Sequence, residues 1–175
     1  MTDFLSIDYL KTGTDKQQKA FEVLNENLIF QKLSEFTPVL VGTIPINIDI
    51  PSSDLDIACY WKDKNHFEEI IKNAFGKERN FQISETSISG EATIIANFFL
   101  GNFEIEIFGQ HIPVSQQNGF RHMIIENEIL KEQGEEFRKK IIELKMQGYK
   151  TEPAFAKLLH LSGNPYEAIL NFKKI

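Results

Sequence analysis

The chain has 175 residues, 42% of them apolar and fifteen of them Phe, which suits one compact domain or a small domain with a helical extension. A net charge of −6 argues against broad, non-specific binding to nucleic acid, which needs a basic surface to displace counterions. The single cysteine, Cys59, excludes an intrachain disulfide, and no signal pattern or membrane-length apolar run is present, so a cytoplasmic protein is expected.

Spacing predicts a helix over residues 14–36, with Thr14 or Asp15 at its start and Ala20, Leu24, Leu28 and Phe36 near one face. Pro38 to Val41 reads as a short buried strand. Ile44 to Ser53 reads as a long connection, because Pro45 and Pro51 prevent a helix. The next strand covers residues 54–61. A helix from Asn65 to Phe75 follows, stopped by Gly76. The period then changes to two. Phe81–Ser89, Ala92–Leu100 and Phe103–Phe108 are expected strands, the last two joined by a tight turn at Gly101-Asn102. After Pro113 the pattern is helical. Helices are expected over Ser115–Gln133 and Glu135–Gln147, a third is capped by Thr151 and closed by Gly163, and a last one opens at Asn164-Pro165. The class is therefore α+β: a small mixed sheet with helices over residues 1–112, then a helical segment over 113–175.

Chemistry concentrates in the connection and the two strands beside it. Val41-Gly42-Thr43 ends one apolar run, and after ten residues Asp54-Leu55-Asp56-Ile57 opens the next. Side chains alternate along a strand, so Asp54 and Asp56 point one way and Leu55 and Ile57 the other. Adjacent carboxylates repel unless a cation lies between them, and Mg²⁺ takes oxygen ligands while keeping positions for substrate phosphates. A third acid is expected from a neighbouring strand, and Glu104 and Glu106 both qualify in Phe103-Glu104-Ile105-Glu106-Ile107-Phe108. Gly42 lets a phosphate approach the backbone, and Thr43 offers a hydroxyl to it. An Asp-x-Asp pair alone is more often the polar face of a half-exposed strand. The order and spacing of the whole set make the combination specific.

Gly42-Thr43 followed by Ser53-Asp54-Leu55-Asp56-Ile57 resembles the signature of the DNA polymerase beta-like nucleotidyltransferases. The whole chain is similar to an uncharacterised bacterial nucleotidyltransferase-like family. Gly42–Ile46, Ser53–Ile57, Glu106-Ile107-Phe108, Gln116-Gln117-Asn118, Arg121-His122-Met123 and Lys150–Ala156 carry that likeness. The resemblance implies a small mixed sheet with helices on one face and acids lining the open face. It implies Asp54, Asp56 and, in preference to Glu104, Glu106 as catalytic metal ligands. Gly42, Thr43 and Ser53 would lie at the nucleotide. The chain differs from the usual pattern in having Thr43 for Ser, a Glu as third acid, and no basic residue soon after the glycine.

Arg121 and His122 open the helical segment, where Arg121 is a candidate for gripping phosphate and His122 for bonding a phosphate or acceptor oxygen. The plainer alternative is a helix face with His122 against a carbonyl. Lys150 and Lys157 flank the Glu152-Pro153 turn, and Lys140 and Lys145 are expected as surface charges. Cys59 is expected in the core, and the four histidines lack zinc spacing.

The expected function is transfer of a nucleoside monophosphate from a triphosphate to a hydroxyl of a small molecule or protein, with Mg²⁺ or Mn²⁺. The alternative is a catalytically weak module of the same fold that acts with a protein partner. Extended nucleic acid and a membrane are not expected partners.

Overall fold

The structure is a computed structural model and describes residues 2–172. Helix α1 (Asp15–Glu26) begins with a reciprocal cap, in which the Thr14 hydroxyl accepts from the Gln17 N–H and the Gln17 side chain accepts from the Thr14 N–H. The expected single helix over 14–36 is interrupted. The Asn27 amide donates to the Val23 carbonyl at 2.8 Å and Leu28 takes a left-handed conformation (φ 55°), so α1 ends. Leu28 is consequently exposed rather than on the apolar face. A short α2 (Ile29–Lys32) and a 3₁₀ turn (Ser34–Phe36) complete the passage to β1 (Val39–Val41).

After the 44–53 connection come β2 (Leu55–Tyr60) and α3 (Lys64–Phe75), with Asp63 rather than Asn65 capping the helix. The strands β3 (Arg79–Ile88), β4 (Glu91–Leu100) and β5 (Phe103–Gln110) follow. Ser89-Gly90, both at positive φ, turn the first hairpin, and Gly101-Asn102 turn the second. The sheet order is β1-β2-β5-β4-β3. The β2–β5 pair is parallel and the other pairs are antiparallel. The path through α3 and the β3–β4 hairpin returns β5 beside β2 in the same direction, as a parallel neighbour requires.

Leu55, Ile57, Cys59, Ile105, Ile107 and Phe98 turn to one face and pack against Ala20 and Leu24 of α1 and Phe67, Ile71 and Phe75 of α3. The other face carries the acids. Over β1 and β2 it is covered by the C-terminal helices α4 (Asn118–Gln133), α5 (Glu135–Met146), α6 (Thr151–Leu158) and α7 (Pro165–Leu170). Val39, Val41 and Ala58 pack there with Met123, Ile129, Ile141, Leu144 and Phe155. The helix expected from Ser115 starts instead at Asn118, because the buried Gln117 side chain donates to the Cys59 and Ile112 carbonyls, both at 2.8 Å, and holds the chain extended. Lys150, not Thr151, stands at the cap position of α6, which ends at Leu158, before Gly163. Among the described residues no helix is long and apolar enough to cross a membrane.

Candidate functional site

Gly42 leaves β1 with φ +83°, and a β-carbon there would collide with the Asp56 carboxylate, so glycine is required both by conformation and by space. The Thr43 hydroxyl donates to Ser53 Oγ at 3.2 Å, and the same oxygen accepts from the Ile50 N–H at 2.9 Å. These bonds tie the two ends of the 44–53 connection together. Side chains from two helices, α1 and α5, then hold its carbonyls. Lys16 Nζ donates to Ile50 O at 2.5 Å, Gln17 Nε2 to Ile44 O at 2.8 Å and Lys145 Nζ to Ile48 O at 2.8 Å. Arg138 donates to the Ile46 carbonyl and, at 3.0 Å, to that of Asn47. The apolar face of the connection is itself core, with Ile44, Ile46 and Ile48 buried.

Asp54 stands just before β2 and Asp56 within it. The parallel register places Asp56 opposite Glu106, and both line a cleft of about 650 Å³ together with Asp54, Gly42, Thr43 and Ser53. Burial raises the Asp56 pKa well above the usual carboxylate range, with the charges of Asp54 and Glu106 adding to the effect. Burial also raises Glu106, opposed by a hydrogen bond from Asn97 Nδ2 to its Oε2 at 3.3 Å. Glu104 is exposed and does not line the cleft.

The opposite wall comes from the helices: His122, Glu126, Lys145, Lys150, Thr151 and Glu152. His122 is buried, with Nε2 at 2.9 Å from the Tyr166 carbonyl and Nδ1 at 3.3 Å from Glu152 Oε1. It therefore meets a carbonyl and still borders the cleft. Arg121 is not brought there. Its side chain is exposed and donates to Asn118 Oδ1 at 3.2 Å, one position round the helix from the cleft-facing His122.

Two residues of this wall escaped the sequence reading. Lys145 is buried, not a surface charge, and burial lowers its pKa to about 8. Glu126 is buried with Oε1 unpartnered, and burial followed by the charge of Glu152 raises it to about 8. A signal for both was present. Lys145 lies four residues after the buried Ile141, and Glu126 lies four before the buried Leu130, so each falls on the inward stripe of its helix.

Among the described residues no three His, Cys, Asp or Glu side chains are grouped closely enough to hold a metal ion by themselves. The donor set nonetheless fits Mg²⁺ or Mn²⁺. Asp54, Asp56 and Glu106 offer hard oxygens, their mutual repulsion favours a cation, and Mg²⁺ is held by one or two carboxylates plus substrate phosphates rather than by a full protein cage. The cleft volume lies within the range of small-molecule sites, about 300–1,000 Å³.

The fold has solved counterparts. The Cid1 poly(U) polymerase bound to MgGTP superposes with a TM-score of 0.53 at 12% identity, over 75% of this chain and 42% of that one. In the GLD-2/RNP-8 complex the match has a TM-score of 0.55 at 14% identity, over 87% of this chain and 60% of that one. The polymerase core of the RNA-surveillance complex TRAMP matches with 0.54 at 12%, over 93% and 50%. This chain thus spans about half the length of the chains it matches, and the likeness is one of fold: an α+β nucleotidyltransferase-like core. No curated protein matches the sequence. A family model described as "Domain of unknown function (DUF4269)" matches residues 22–172, and the chain belongs to that family.

Proposed function

We propose that the cleft binds a nucleoside triphosphate with Mg²⁺ or Mn²⁺ and transfers its nucleoside monophosphate to a hydroxyl of a small molecule or protein. The observation that carries this reading is the meeting of Asp54, Asp56 and Glu106 in one cleft beside Gly42 and Thr43, on a fold shared with nucleotide polymerases. The metal, held by Asp54, Asp56 and Glu106, would supply charge stabilisation for the transferring phosphate. The acceptor hydroxyl oxygen bonds to the α-phosphorus, the bond from that phosphorus to the bridging oxygen breaks, and pyrophosphate leaves. The hydroxyl proton passes to a carboxylate oxygen of Glu106, which lines the cleft opposite Asp56. Gly42 keeps the backbone open to phosphate, and Thr43 and Ser53 stabilise the turn that carries it. Lys145 and Lys150 bring positive charge to the facing wall, in the role that sequence alone suggests for Arg121.

The test is thermal stabilisation of the full chain by ATP, GTP, CTP and UTP, each with and without Mg²⁺ or Mn²⁺. Binding to the native state raises stability by mass action. A shift that needs both metal and nucleotide supports the reading, and its absence with every pair contradicts it. The second reading, a module that acts with a protein partner, gains support from a small groove along α4, lined by Ile124, Ile125, Ile129 and Phe172 together with Glu128 and Glu132, and from the similar GLD-2 structure being that of a complex. A partner recovered without any nucleotide effect would favour it.

A further inference from the structure

The acid-bearing face of the sheet is covered only in part. No residue of β3, β4 or β5 belongs to the hydrophobic cluster under the C-terminal helices. Paired residues of neighbouring strands share a face, so the register draws a polar row across four strands: Asp56, Glu106, Asn97, Gln82. Beside it runs a second row: Ala58, Phe108, Ile95, Ser84. Phe108, Ile95 and Phe99 are half-buried on this face and belong to neither core cluster, while Gln82 and Ser84 are exposed. The strip is continuous with the cleft, because Glu106 and Phe108 line both.

Its chemistry is selective. Asn97 spends one N–H on Glu106 and keeps its carbonyl oxygen and second N–H, and Gln82 adds a full amide. The one cation in these three strands is Arg79, which lies 4.7 Å over the Phe99 ring and donates to Gly101 O at 3.1 Å. Glu104 and Glu106 face the same side. Such a surface repels phosphates and polyanions. It offers flat apolar contact beside hydrogen-bonding amides, which suits a ring with an apolar face and hydroxyls at its rim. With strands about 4.8 Å apart, Gln82 lies roughly 10 Å from Glu106, so an occupant engages both only if it carries several hydroxyls.

We propose that this strip is the acceptor subsite and that the acceptor is a neutral, multiply hydroxylated ring compound of the sugar class, held by Asn97 and Gln82 with its reacting hydroxyl at Glu106. The inference rests on the nucleotidyl-transfer reading of the cleft. The new bond joins the sugar hydroxyl oxygen to the α-phosphorus of the triphosphate, pyrophosphate departs, and the product is a sugar carrying a nucleoside monophosphate.

The experiment is label transfer from an α-labelled triphosphate, in Mg²⁺, by the full chain. Neutral monosaccharides and disaccharides are offered as acceptors, against sugar phosphates and against casein. The expected result is label on neutral sugars, with the acceptor KM raised about fivefold to tenfold in Gln82→Ala, the loss of one neutral hydrogen bond. Nucleotide-dependent stabilisation should be unchanged in that variant, because Gln82 is exposed and two strands from Glu106. Label on sugar phosphates or casein only, no label on any acceptor despite metal-dependent nucleotide stabilisation, or an unaltered acceptor KM in Gln82→Ala would overturn the acceptor assignment alone. Absence of nucleotide stabilisation would overturn the cleft reading, and this inference with it.

Discussion

Gly42 leaves the space that the Asp56 carboxylate occupies. The glycine is in the left-handed region, and its α-carbon faces the acid closely enough that a methyl group cannot be added without moving one of them. Gly42→Ala should therefore destabilise the protein by about 1–3 kcal/mol through backbone strain and displace Asp56. Urea unfolding measures the first effect, and loss of the metal-dependent nucleotide shift measures the second. Wild-type stability with a wild-type shift would show that the contact is not a constraint.

Much of this region is legible in the sequence, because its determinants are local. The glycine, the two aspartates and their alternation with Leu55 and Ile57 are strand arithmetic, and the β3–β5 meander follows from period two and turn chemistry. The partner of Asp56 is not local. Glu104 and Glu106 are equivalent by alternation; the family resemblance favours Glu106, and the parallel register of β2 and β5 sets it opposite Asp56. The helical boundaries failed where side chains outcompeted propensity, at Asn27 capping Val23 and at Gln117 holding the Cys59 carbonyl. Lys145 and Glu126 were hidden for a related reason. A charged residue suggests solvent, and its place on an inward stripe becomes decisive only when the facing loop carbonyl at Ile48 is known.

Arg138 fixes the 44–53 connection through two carbonyls. Arg138→Ala should cost about 1.5–3 kcal/mol, the scale of hydrogen bonds to a charged group. Amide hydrogen exchange should rise across residues 44–53 more than in β2. Equal protection in variant and wild type would mean that the connection is held by its buried isoleucines alone.

Buried Glu126 and Lys145 make the metal-free protein's stability depend on pH in opposite senses. The folded pKa of Glu126, about 8, is above its unfolded value of about 4.3, so its contribution is full below the latter and is lost as pH rises towards 8. The folded pKa of Lys145, also about 8, is below its unfolded value of about 10.4, so its contribution is full above the latter and is lost as pH falls towards 8. The Tm should fall as pH rises from about 4.3 to 8, where the cost of ionising Glu126 is fully felt. Glu126→Gln should raise the Tm there and leave it unchanged near pH 4. Parallel curves for the two proteins would remove Glu126 from the account.

Arg121 provides a control. Its exposed side chain contacts only its own helix among the bonds described, so Arg121→Ala should change stability by less than about 0.5 kcal/mol. Nucleotide-dependent stabilisation should also be retained. A lost shift would mean that Arg121 reaches the cleft in the bound state.

The central claim is that Asp54, Asp56 and Glu106 hold the divalent metal of a nucleotide site. Its most direct test is Mn²⁺ titration followed by electron paramagnetic resonance, with a non-hydrolysable triphosphate, on the wild type and on Asp56→Asn. The account predicts that the wild type depletes the free-ion signal in the presence of nucleotide and that Asp56→Asn, folded to the same degree by circular dichroism, does not. Equal depletion by both proteins would contradict it.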